Sequence, residues 1–208
     1  MNVRRRLLAA VAAAVLAGAV AGTASAGRLS WSSQNLRMTW SAMTFIASEE
    51  LGIMWSCPVT LEGSFHARTM VKTVNALIGY ITRAAIAPAP VCTGGQATVL
   101  SETLPWHFRY AAFTGTLPNI TTTTLNIVGE SIFFDFPAFG IRCLYRSTAA
   151  EPIRLRFARE AGGTISSVTN EGRYPTTSGF PCPPMAGGGT TSNVTVLGAA
   201  TRVTLTLI

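Results

Sequence analysis

The chain has 208 residues and a formal charge of +7, from 16 basic and 9 acidic side chains. Three of the basic residues, Arg4, Arg5 and Arg6, fall in an N-terminal export segment, so the rest carries 13 basic against 9 acidic groups, a balance of +4. So mild an excess, spread along the chain, excludes a nucleic-acid patch, and the length left suits one domain with a real core.

Residues 1–26 read as a signal peptide. The three arginines make a positive n-region, and Leu7 to Val20 is a run of Leu, Ala and Val broken by one Gly. Ala24-Ser25-Ala26 then supplies the small-x-small site of a signal peptidase. The apolar run is shorter than the ~20 residues a bilayer span needs. No Cys follows the site to accept a lipid, and no later segment is apolar for long enough to span. The expected organisation is a signal peptide over 1–26 and a single β-rich domain over 27–208, secreted or associated with the cell envelope.

Four cysteines remain: Cys57, Cys92, Cys143 and Cys182. An even count in an exported chain predicts two disulfides, whereas zinc would want two cysteines within C-x₂₋₄-C spacing, which none has. Three connectivities are open. Cys57–Cys92 and Cys143–Cys182 are preferred, because the loops are of similar length and each second Cys precedes Gly-rich residues and a Thr-Val strand. Those copies are Gly94-Gly95 with Thr98-Val99-Leu100, and Gly187 to Gly189 with Thr195-Val196-Leu197.

Alternation of period two dominates from there on. Leu36, Met38 and Trp40 start it; Leu51, Ile53, Trp55, Cys57, Val59 and Leu61 continue it and place Cys57 on an apolar face. Phe108 and Tyr110 follow, then Leu125 and Ile127, then Ile132, Phe134 and Phe136 after a break at Gly129. Ile141, Cys143 and Tyr145 oppose Arg142 and Arg146, and Ile153, Leu155 and Phe157 oppose Arg154 and Arg156. Val203, Leu205 and Leu207 close the series. Thr121 to Thr124 suits a strand with one solvated face. Turn-forming clusters separate the runs at Pro88-Ala89-Pro90, at 114–119 and over 181–189. The pattern predicts an all-β fold, a disulfide-stapled β-sandwich with a β-barrel as the alternative. Met70 to Ala85 admits two readings: Met70, Val74, Leu77, Ile78 and Ile81 are spaced for a helix, while the β-branched residues and Gly79 suit strands. A transmembrane barrel is disfavoured, because its lipid face would carry Arg142, Arg146, Arg154 and Arg156.

Catalytic chemistry is sparse. His66 and His107 are the only histidines and Asp135 the only aspartate. His107 with Asp135 and a serine could be a triad, but no G-x-S-x-G elbow singles out a serine. Neither H-E-x-x-H nor H-x-x-E-H occurs to bind a metal, and Glu49-Glu50 reads as a solvated turn. Of Trp31, Trp40, Trp55 and Trp106, the strand pattern puts Trp55 in the core. Leu104-Pro105-Trp106 opens a strand, which makes Trp106 and His107 the candidate ligand-contacting pair.

The stretches Cys57-Pro58-Val59-Thr60-Leu61-Glu62-Gly63, Leu104-Pro105-Trp106, Gly115-Thr116-Leu117-Pro118 and Cys143-Leu144-Tyr145 together resemble a group of uncharacterised exported actinobacterial proteins. The resemblance spans most of the mature chain and implies no activity. A looser one, the Thr-Val-Leu…Leu-Pro-Trp run beside paired cysteines, is similar to exported proteins described as activators of alkane oxidation; a motif so short transfers no role.

The expected function is therefore a non-catalytic secreted or envelope protein that acts by binding or assembly, with no cofactor and with a cell-wall or apolar ligand as partner. One alternative is a carrier of a hydrocarbon or lipid in a pocket lined by Phe133, Phe134, Phe136 or Phe139. The other is a hydrolase whose site assembles only on folding.

Overall fold

The computed structural model describes residues 28–48, 53–88, 91–175, 177 and 182–208. The predicted signal peptide, Glu49-Glu50 and Leu51 lie outside the described residues. Fifteen strands follow in order among those described: β1 (Arg28–Trp31), β2 (Asn35–Ser48), β3 (Ile53–Phe65), β4 (Thr69–Val71), β5 (Leu77–Ile86), β6 (Gln96–Val99), β7 (Trp106–Thr116), β8 (Asn119–Val128), β9 (Ser131–Phe136), β10 (Ile141–Arg146), β11 (Ile153–Arg159), β12 (Ile165–Tyr174), β13 (Met185–Thr191), β14 (Val194–Val196) and β15 (Leu205–Leu207). Two single 3₁₀ turns are the only helical pieces among them.

Nine strands form one antiparallel sheet in the order β13-β12-β11-β8-β7-β5-β3-β2-β14. The sheet curls until β13 also pairs with β2, from Ala186 opposite Ile46 to Gly188 opposite Thr44, and so nearly closes. The expected all-β fold is thus present, and the curl brings it close to the barrel alternative. About eight strands in such a ring leave an interior that side chains just fill.

Alternate residues supply that filling. Trp55, Cys57, Val59 and Leu61 point inward from β3, Trp106, Phe108 and Tyr110 from β7, and Ile153, Leu155 and Phe157 from β11; all are buried. Arg154 and Arg156, between the last three, are exposed. Two three-stranded sheets, β15-β1-β4 and β10-β9-β6, lie against opposite ends of the ring. Near the start of β3, Trp55 meets Phe134 of β9 with ring centroids 5.3 Å apart, and Phe45 meets it at 4.9 Å. At the end of β3, Phe65 stacks on Trp31 of β1 at 4.6 Å, and Phe157 packs edge-on against the same indole. Packed aromatic pairs of this kind each add about 0.5–1.5 kcal/mol beyond the area they bury.

Both preferred disulfides are present: Cys57–Cys92 and Cys143–Cys182. The repeat that suggested them does not extend to topology. β6 pairs with β9 in a small sheet, whereas β14 flanks β2 in the large one.

Residues 70–85 are strand and loop, not helix. Asn75 takes the left-handed region at φ 64° and ends any helical path between β4 and β5. Gly79 lies so close to β3 that an added Cβ would come 2.4 Å from the Ser64 carbonyl oxygen. The helical stripe is consequently split: Met70, Ile78 and Ile81 are buried, while Val74 and Leu77 face water.

The stretch 181–189, expected to separate strands, instead contributes most of β13. Gly187 is there because two aromatic rings cross the strand at that point. A Cβ on Gly187 would come 2.8 Å from Tyr174 Cε2 and 2.9 Å from Phe45 Cδ1. Gly187→Ala is expected to cost about 1–3 kcal/mol by overpacking this seam. Urea unfolding of the variant checks it, and an unchanged midpoint would mean that the rings give way freely.

Candidate functional site

The turn from β8 to β9 is Gly129-Glu130, and Gly129 adopts φ 92°, a conformation that favours glycine. The turn directs Glu130 inward, where it is 3% exposed. Four further residues gather around it. The Glu130 N–H donates to Ser147 Oγ at 2.9 Å, and the Ser147 N–H donates back to the Glu130 carbonyl at 2.8 Å. Ser131 Oγ donates to the Gly129 carbonyl at 3.1 Å and accepts from Arg146 Nε at 2.9 Å. From β12, the Tyr174 hydroxyl donates to Glu130 Oε1 at 3.2 Å, and Oε2 has no partner.

A carboxyl so placed resists ionisation. Burial pushes the Glu130 pKa up to about 7, although the hydrogen bond from Tyr174 pulls the other way. Burial also raises Tyr174 well above the usual phenol range, and the neighbouring carboxylate adds to the rise. The cluster therefore holds one proton that titrates near neutrality, on a joint between the large sheet and the β9–β10 hairpin. Ser147 Oγ thus accepts from the Glu130 main chain, and Ser131 Oγ bridges the Gly129 carbonyl and Arg146.

Tyr174 also lines an open cleft of about 480 Å³ together with Ile46, Glu151, Arg173 and Met185. A second cleft of about 510 Å³, lined by Arg154 and Glu171, shares Glu151 and Arg173 with it. The first of these adjoining hollows is lined mainly by apolar groups, Ile46, Tyr174, Pro184 and Met185 among them, and the second by the charged Glu151, Arg154, Glu171 and Arg173.

The two candidate ligand residues part company. Trp106 is 1% exposed, and its Nε1–H donates to Thr103 Oγ1 at 2.8 Å. His107, the next residue, faces outward beside Tyr80, whose ring also neighbours His66, at centroid distances of 5.6 and 5.0 Å. Alternation along β7 sends neighbours to opposite faces, so the pair shares no pocket. His107 and Asp135 are likewise not joined by a hydrogen bond; Asp135 pairs with Arg142 at 3.2 Å. The phenylalanines considered for an apolar pocket have separate fates. Phe134 and Phe136 are buried in the core, Phe133 lies under the Arg142 guanidinium at 4.5 Å, and Phe139 is exposed. Among the described residues no group of three His, Cys, Asp or Glu side chains is placed to hold a metal.

Sequence reading passed over Glu130. Nothing local marks an acid in a turn as buried, and the hydroxyl that donates to its carboxylate is 44 residues away. No family model, curated protein or solved structure matches the chain.

Proposed function

We propose that this is a non-catalytic exported protein that works by binding or assembly through its outer surface. The observation that carries the reading is the division of the large sheet into two faces. Its interior is filled by interlocked rings of Phe45, Trp55, Phe65, Phe108 and Phe134, which leaves recognition to the outer wall. That wall carries Arg37, Glu62, His107, Arg154, Arg156 and Glu171, and the clefts described above open on it. A lipid-spanning barrel has the opposite polarity, apolar outside. No helix among the described residues is long and apolar enough to cross a membrane.

Two disulfides suit an oxidising compartment. Cleavage after Ala26 would leave every described strand intact, since β1 spans Arg28–Trp31.

Fractionation of expressing cells tests the reading. The expected result is a chain beginning at Gly27, in the medium or loosely held by the envelope, that needs no detergent and yields no hydrocarbon or lipid in native mass spectrometry. Recovery only in detergent favours a pore, and a co-purified apolar ligand favours the carrier; either outcome overturns the proposal.

A further inference from the structure

The curled sheet closes on a short joint. β13 pairs with β12 from Val168 opposite Thr191 to Tyr174 opposite Met185, but with β2 only from Ala186 to Gly188. Glycine at 187, 188 and 189 brings no side chain to bury there. A joint with so little apolar surface of its own opens more readily than the rest of a sheet. One side chain ties it to the interior acid. A Cβ on Gly187 would come 2.8 Å from Tyr174 Cε2, and the Tyr174 ring centroid is 5.9 Å from that of Phe45 on β2. The Tyr174 hydroxyl donates to Glu130 Oε1 at 3.2 Å. Tyr174 therefore meets β2, β13 and the β8–β9 turn at once, and it also lines the cleft shared with Ile46 and Met185.

The two ends of Glu130 are held very differently. Its main chain is fixed by two hydrogen bonds with Ser147, whereas its carboxyl has the Tyr174 hydroxyl on Oε1 and no partner on Oε2 among the described residues. A neutral carboxyl tolerates such burial, but an ionised one needs further donors or water. None of the ion pairs among the described residues includes Glu130. Arg146 of β10 gives its Nε to Ser131 Oγ, Tyr145 of β10 gives its hydroxyl to the Pro183 carbonyl, and Asp135 of β9 pairs with Arg142. Glu151 and Arg173 are exposed at the cleft, and β2 and β13 bring the uncharged Phe45, Ile46 and Met185. Tyr174 is the titratable group that faces the carboxyl. Burial raises it well above the usual phenol range, so it stays protonated while Glu130 titrates.

We propose that Glu130 is a proton latch on the curled sheet: protonated, it keeps Tyr174 seated and the β2–β13 joint shut, and on losing its proton to solvent it draws Tyr174 off the joint and lets water in from the cleft. The Cys143–Cys182 bridge, placed just before β13, limits how far the strand can move. The latch goes beyond the proposed binding role and does not depend on it. Its sign follows from burial. The carboxyl is pushed up to about 7 while the joint is shut and returns toward its ordinary 4.5 once water reaches it, so rising pH favours opening between those values. From about pH 5 to about pH 8 the open fraction should grow at least about tenfold.

Amide exchange of the mature protein, read by NMR and divided by the intrinsic rate at each pH, tests the latch. Protection at 44–46 and 186–188 should fall at least about tenfold from about pH 5 to about pH 8. It should fall further than at 108–110 and 125–127, on β7 and β8 opposite the joint in the strand order. Glu130→Gln keeps the shape of the protonated acid and should hold protection at the joint constant. Tyr174→Phe keeps the ring, removes the hydroxyl and should lose most of the response. A carbon-13 titration of the Glu130 carboxyl in the unaltered protein needs no variant to fold, and a midpoint near 4.5 overturns the latch. So does an equal loss of protection at the joint and on β7 and β8, which would mean global destabilisation alone. A pH response that survives Glu130→Gln or Tyr174→Phe overturns it too.

Discussion

Replacing Cys143 and Cys182 together by alanine is expected to lower the free energy of unfolding by about 4 kcal/mol. The bridge joins residues 39 apart and the Cys57–Cys92 bridge residues 35 apart. Because loop-closure entropy grows only with the logarithm of length, the two bridges should contribute almost equally. Against a typical domain stability of about 5–15 kcal/mol, either loss is a large fraction. The two differ in what they hold. Cys143 is fully buried on β10, and Cys182 lies just before β13, where the Tyr145 hydroxyl also donates to the Pro183 carbonyl at 2.7 Å. The second bridge thus anchors the entry to the strand that brings the sheet close to closure. Hydrogen exchange at 185–191 should quicken in the Cys143→Ala, Cys182→Ala protein and remain slow in the Cys57→Ala, Cys92→Ala protein. Urea unfolding without reductant measures the magnitude, and a loss below about 1 kcal/mol for either pair would contradict the loop-closure account.

Folding stability is expected to fall by about 3 kcal/mol as the pH rises from about 4.5 to about 7, through Glu130 alone. The carboxyl titrates near its ordinary 4.5 in the unfolded chain and at about 7 in the fold. Between those values the folded state keeps a proton that the unfolded state has released, so raising the pH favours unfolding. Below the window both states are protonated and the contribution is full; above it both are ionised and the contribution is gone. The titratable partner facing this carboxyl is Tyr174 from β12, whose hydroxyl donates to Oε1. Glu130→Gln preserves an acceptor for the Tyr174 hydroxyl and removes the charge. The variant should lose this part of the pH slope and exceed the parent in stability at about pH 8. Parallel denaturant titrations at about pH 5 and about pH 8 decide the matter, and equal slopes in the two proteins would contradict the assignment.

The joint around Glu130 shows how far a sequence can be read. Which side chains of a strand share a face is a local property of extended backbone, so the inward sets Trp55, Cys57, Val59, Leu61 and Ile153, Leu155, Phe157 were legible from period two alone. Applied to β7, the same rule separates Trp106, which lies inward with Phe108 and Tyr110, from His107, which lies outward. Pairing His107 with Trp106 as ligand contacts overlooked it. The disulfide partners were legible as well, although the repeat that suggested them has no counterpart in the pairing of β6 and β14.

By itself, then, the sequence determined an all-β chain with two local disulfides and with Arg142, Arg146, Arg154 and Arg156 on the outward faces of strands. Tertiary structure decided the rest, because the deciding contacts join distant segments. Gly187 to Gly189 look like a loop until the rings of Phe45 and Tyr174 lie across Gly187, where a Cβ would come within 3 Å of both. Residues 70–85 could follow either periodicity until β3, β7 and β1 offered edges to pair with. Glu130 became a titrating group only when Tyr174 and the small sheet enclosed it. The curl of the sheet, the burial of that acid and the exposure of Val74 all follow from packing between strands far apart in the chain, which no local pattern encodes.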